Sequence, residues 1–147
     1  MELKFKVHTK IQKPVEEVFD GVHNPSKLSR YFTTGGATGP LDEGTTVYWS
    51  FADFPGPAAA VRVKEVTPNR RIVFEWGGQD DFPVCRVEMT FEPLDGGATL
   101  VSISESGWPE TQKGLDQSYG NCMGWSQMVS ALKAFLEYGI NLRQGAY

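Results

Sequence analysis

The sequence predicts an α+β fold in which one long helix lies across a curved antiparallel sheet of about six strands. Three features point to it. Apolar residues alternate with polar ones near the N-terminus and in five further segments between residues 45 and 105, the period-2 signature of half-buried strands. Two short helical stretches follow the first of these strands. Beyond Ser106-Gly107-Trp108-Pro109 the period changes to 3.6, and the chain enters its longest amphipathic stripe.

Leu3, Phe5 and Val7 alternate with Lys4, Lys6 and His8, which makes residues 2–11 a strand. Pro14 pre-sets a helical φ, and Val15, Val18, Phe19 and Val22 recur at helical spacing until Gly21 and Asn24 close the stretch. Asn24-Pro25 repeats the start signal, with Asn24 as cap and Leu28, Tyr31 and Phe32 as the stripe of a second short helix. Residues 33–44 hold four glycines and a proline and read as a loop. Val47, Trp49 and Phe51 share one face of a strand over 45–52, Asp53 to Pro57 turns the chain, and Val61 and Val63 begin a strand that ends near Val66. Thr67-Pro68-Asn69 connects it to a strand in which Ile72, Phe74 and Trp76 alternate with Val73 and Glu75. After a loop over 77–83, Cys85, Val87, Met89 and Phe91 form the next strand, and Asp95-Gly96-Gly97 turns it into Val101, Ile103 and Glu105. Trp125, Met128, Val129, Leu132, Phe135, Leu136 and Ile140 are the stripe of the C-terminal helix. Upstream of it Gly114, Gly120 and Gly124 each weaken a helix by about 0.8–1 kcal/mol relative to Ala, which predicts a bend or a separate helical turn over 110–124.

The 147 residues are expected to form one domain, and 14 Lys+Arg against 18 Asp+Glu give a formal net charge of −4. Nucleic acid and anionic lipid need a basic face, and no basic run exists here. The N-terminus alternates apolar and charged residues, unlike a signal peptide, and no apolar run is long enough to span a bilayer. Cys85 and Cys122 lack CxxC spacing, which fits two free thiols in a reducing cytoplasm. His8 and His23, the only histidines, have no metal-ligand partners at useful spacing, so neither metal nor cofactor is expected. No nucleophile elbow is present. The glycines of Thr34 to Gly39 do not open a helix after a strand as a phosphate cradle would, and a lid over a cavity is the role expected of them.

Four motifs stand in order: Lys13-Pro14-Val15-Glu16-Glu17-Val18-Phe19; Thr90-Phe91-Glu92-Pro93 ahead of Gly96-Gly97; Ser106-Gly107-Trp108; and Gly124-Trp125 followed by Leu132-Lys133 and Leu136-Glu137-Tyr138-Gly139. In these motifs and in element order, from about residue 3 to 142, the chain resembles the START-like (SRPBCC) superfamily, whose helix-grip fold includes polyketide cyclases and the birch pollen allergen. Within it the chain is similar to the family related to the activator of the heat shock protein 90 ATPase. The resemblance implies a cavity between sheet and long helix that holds an apolar or amphipathic small molecule. It also implies a chaperone as a possible protein partner.

Alternation places Trp49, Phe51, Val63, Phe74, Trp76, Val87, Met89 and Ile103 on the inner face, opposite Trp125, Met128 and Val129. These residues either line the cavity or interdigitate as a solid core. Glu105 also points inward and is the sole candidate for acid–base chemistry, against the alternative of a hydrated or ion-paired carboxylate at the cavity rim. One carboxylate favours binding over turnover and leaves a cyclase-like reaction open. A protein-interaction module is the second class of function, with Phe54, Phe82 and Tyr147 as its surface candidates.

Overall fold

In the computed structural model, which describes residues 1–147, strand β1 spans Leu3–Ile11, helix α1 Val15–His23 and helix α2 Pro25–Leu28. There follow strands β2 (Gly36–Ala37), β3 (Thr46–Phe51), β4 (Phe54–Thr67), β5 (Arg71–Trp76), β6 (Cys85–Pro93) and β7 (Thr99–Trp108), and helix α3 (Gln112–Tyr138). The seven strands form one antiparallel sheet in the order β1-β7-β6-β5-β4-β3-β2. Only the pairing of β1 with β7 joins distant parts of the chain. It fixes Phe5 opposite Glu105 and Val7 opposite Ile103.

Helix α3 lies against β1 and β7, and α1 reaches β6, so the helices cover one face of the sheet. Period-2 alternation sends Val63, Phe74, Val87, Met89 and Ile103 to that face, where they meet Trp125, Met128, Val129 and Leu132, each at most 3% exposed. Burial of each large apolar side chain contributes about 1.5–3 kcal/mol. Asn24 caps α2 as its sequence predicts, its Oδ1 accepting from the Ser26 amide at 3.0 Å. Thr111 Oγ1 accepts from the Gly114 amide at 3.0 Å to start α3, and Gly139 closes it in the left-handed region.

Three expectations need correction. Helix α3 runs unbroken from Gln112 to Tyr138, with no separate turn over 110–124. Its glycine penalties are small against the burial that its apolar face gains on the sheet. Strand β4 begins at Phe54, so the turn is confined to Ala52 and Asp53. Prolines are tolerated there because Trp49 pairs with Ala59 and Phe51 with Phe54, leaving Pro55, Gly56 and Pro57 in a wide bulge that needs no ladder N–H. The glycine-rich stretch from Thr34 to Gly39 is no lid over a cavity. It contains β2, pinned to the sheet edge by Gly36 opposite Ser50 and Ala37 opposite Trp49. On the outer strand face Arg71 pairs with Glu65 at 2.5 Å and with Glu88 at 2.9 Å. No helix is long and apolar enough to cross a membrane.

Candidate functional site

Glu105 lies on the inner face near the end of β7 and is 1% exposed. Three elements supply its partners. Trp76, the last residue of β5, donates from Nε1 to Oε2 at 2.8 Å, and Trp125 of α3 donates from Nε1 to Oε1 at 2.8 Å. Asn121, one helical turn before Trp125, places Nδ2 3.1 Å from both oxygens. The spacing of four residues puts both α3 donors on one helix face. Glu105 is therefore neither at a rim nor ion-paired: every partner is a neutral donor. Burial raises its pKa above the ordinary carboxylate value, and the hydrogen bonds from Trp76, Trp125, Asn121 and Cys85 oppose that rise. Its oxygens already accept from N–H groups, so a bound molecule has to displace one of these donors to reach a lone pair.

Cys85 opens β6 opposite Trp76 and beside Glu105. Burial and the neighbouring carboxylate push its thiol up to about 12, which makes it a poor nucleophile near neutrality. Two glycines let these strand ends approach. A Cβ on Gly107, at φ +127, would lie 2.6 Å from the Val84 carbonyl oxygen, and one on Gly77, at φ +83, would lie 2.1 Å from that of Pro83. Both Cys85 and Cys122 are free thiols. No group of three or more His, Cys, Asp or Glu side chains is arranged so that it could hold a metal ion.

Beside this carboxylate opens a cavity of about 540 Å³. Its walls are the inner end of β3 from Trp49 to Phe51, the bulged segment Phe54 to Ala60 of β4, and the β5–β6 loop with Phe82 and Pro83. Trp76, Cys85, Glu105, Trp108 and Asn121 close it. Of the residues expected to line a cavity, Trp49, Phe51, Trp76 and Glu105 do so. Val63, Phe74, Val87, Met89, Ile103 and Val129 lie in the filled core, and Trp125 packs among them behind the carboxylate it binds. Met128 lines a separate groove of about 410 Å³ between α3 and the C-terminal tail, with Tyr31, Phe32, Arg143 and Tyr147. The hollow thus sits at one end of the sheet, where β4 bulges, and the middle rows are closed by aromatic and aliphatic side chains. Asn121 was missed by strand alternation, although its place one turn before Trp125 on a sheet-facing stripe is a usable signal. The bulged start of β4 carried none, because DFPGP reads as a turn.

The sequence model of a family described as Activator of Hsp90 ATPase homolog 1-like protein matches residues 12–137, most of the chain. The chain belongs to this family. No match is found among curated proteins. Solved structures share the family's helix-grip architecture. DynU16, described as a protein in the dynemicin biosynthetic locus, superposes with a TM-score of 0.81 at 25% identity over 96% of this chain. This chain spans only 49% of DynU16. Protein SSP2350 from Staphylococcus saprophyticus gives 0.77 at 24% identity, covering 95% of this chain and 96% of that one. The Aha1 dimer from Colwellia psychrerythraea gives 0.79 at 20% identity, covering 92% and 97%.

Proposed function

We propose that this family member binds an apolar or amphipathic small molecule in the cavity between the β3–β4 hairpin and Glu105. The observation that carries the reading is the cavity itself: about 540 Å³, within the roughly 300–1,000 Å³ that small-molecule sites use, with aromatic walls and few polar groups. The likeness to DynU16, whose description places it in a biosynthetic locus, agrees with a small organic ligand. Because the Glu105 oxygens are held by three side chains, the carboxylate serves as a fixed polar end wall, and the reading is binding without turnover. A reducing cytoplasm is the setting proposed, in which both thiols stay free. The second reading, contact with a chaperone, draws on the family description and on Phe54 and Phe82, which are 77% and 60% exposed at the cavity mouth. Tyr147 lies apart from them, in the groove along α3, where its hydroxyl meets Gln127.

Ala59 stands opposite Trp49 on the inner face and lines the cavity. Ala59→Trp places a large side chain in that space. Titration with the uncharged fluorescent ketone prodan is expected to show binding by the wild type and a loss of about tenfold or more in the variant. A folded Ala59→Trp protein that takes up the dye as the wild type does would remove the cavity from the account.

A further inference from the structure

We infer that the free edge of β1 is a docking site for an acidic, extended segment of another protein, which adds to the sheet as a further strand. The sheet has two edges, the two-residue β2 and the nine-residue β1, and β1 lies across the sheet from the β3–β4 hairpin. Successive residues of a strand turn their N–H and C=O to opposite sides. The far end of β1 fixes which residues face outward. There the Lys10 carbonyl accepts from Lys133 Nζ at 2.8 Å and the Gln12 amide donates to Glu137 Oε2 at 3.0 Å, both partners on α3. The even-numbered residues therefore face away from β7, and Phe5, Val7 and Thr9 bond to it. Pro93 agrees: it stands opposite Thr99 but has no N–H, so Thr99 turns its backbone groups to Ile11. Helix α3 caps one end of this edge, and no other part of the protein reaches the N–H or C=O of Lys4, Lys6 or His8.

The outward side chains set the partner's charge. Lys4, Lys6, His8 and Lys10 are all exposed and share the outer face of the sheet. Lys6, His8 and Lys10 have no carboxylate at ion-pair distance, and Lys4 meets only Glu2, at 3.5 Å. Beside them β7 presents uncharged serines, and Glu88 on β6 is already held by Arg71 and Arg86. A second copy of this chain is a poor occupant, because β1 paired with β1 sets cation against cation, and like charges directly opposite destabilise a sheet. Lysines on an edge guard against such self-pairing. The same row selects a strand with carboxylates at alternate positions. Its intervening residues would be apolar, since Phe5 and Val7 pack on the core yet are only partly buried and leave that border open. A polyphosphate matches the lysines but brings no N–H for the free carbonyls, so the pattern fits a peptide.

The test uses the intact chain and a fluorescein-labelled peptide about as long as β1, in which Glu alternates with Val. Fluorescence anisotropy is expected to show saturable binding that weakens as salt is raised, and a loss of about threefold or more in affinity for Lys6→Glu. Amide hydrogen exchange on the wild type reads the geometry without a variant. The Lys6 and His8 amides are expected to exchange fast in the free chain and about tenfold or more slower with peptide, whereas Phe5 and Val7 are protected in both. Absence of binding, or binding with no added protection at Lys6 and His8, would overturn the inference. Equal affinity for the peptide with its central amides N-methylated, or with lysine in place of glutamate, would overturn it too. Equal affinity for an oligothymidylate of matching charge would make the row a polyanion contact and end the strand reading. Dimerisation of the free chain with protection at the same amides would assign the edge to a second copy instead.

Discussion

Glu105 owes its place to strand parity and its chemistry to its neighbours. Two indoles and an amide donate to it, so replacing it with glutamine turns an NH₂ group toward donors and removes acceptors from buried N–H groups. Each donor so stranded costs about 1–3 kcal/mol. Glu105→Gln is expected to lower the urea midpoint by a corresponding amount with an unchanged denaturant slope. Titration adds a sign. Burial raises the native pKa of Glu105, so the folded chain keeps this proton to higher pH than the unfolded chain does. Stability derived from Glu105 is then present below the ordinary glutamate value and falls as pH rises from that value through the raised one. The stability difference between wild type and Glu105→Gln should shrink across that window, and a difference independent of pH would contradict the shift. Glu88 has the opposite sign. The hydrogen bond from Arg71 holds its pKa low, and the stability it brings is lost as pH falls.

The β3–β4 hairpin, which walls the cavity, is fastened by the C-terminal tail. Arg143 forms two hydrogen bonds to Asp53 in the hairpin turn, Nε to Oδ2 at 2.7 Å and Nη2 to Oδ1 at 2.8 Å. The same guanidinium stacks 4.8 Å from the Phe51 ring centroid and 4.4 Å from that of Tyr147, and its side chain is 12% exposed. Lysine keeps the charge but loses the planar fork and the stacking. Arg143→Lys is expected to weaken the fastening by about 1–2 kcal/mol, read as faster amide hydrogen exchange over residues 54–60 with β6 and β7 unchanged. Equal protection in the two proteins would show that the tail does not hold the hairpin. This fastening was hidden in the sequence because it joins side chains 90 residues apart. Most strands were legible, since alternation is local and the connections after β4, β5 and β6 carry their own Gly, Pro or Asn, whereas β2 and the start of β4 were not. The start of β4 was misread for the same reason: Pro55 and Pro57 signal a turn unless the partner strand is known to leave them unpaired. The inward aim of Glu105 followed from Val101 and Ile103, but its partners stand 29, 16 and 20 residues away on other elements, where no periodicity links them.

Across the whole molecule, the space between sheet and helix is filled in the middle and hollow at one end. The core rows from β4 to β7 are closed by Phe74, Met89, Ile103 and Trp125, and the hollow begins where β4 bulges away and β5 ends. Family membership and the helix-grip architecture make such a hollow intelligible, but it is the particular residues, a saturated carboxylate and a lining without cations, that decide what can occupy it. The central claim is where a ligand sits. A crystal structure of the wild-type protein soaked with prodan tests it most directly. The dye is expected between Trp49, Trp76 and the 54–60 segment. Dye found instead in the groove along α3 and the C-terminal tail, with the cavity beside Glu105 empty, would contradict it.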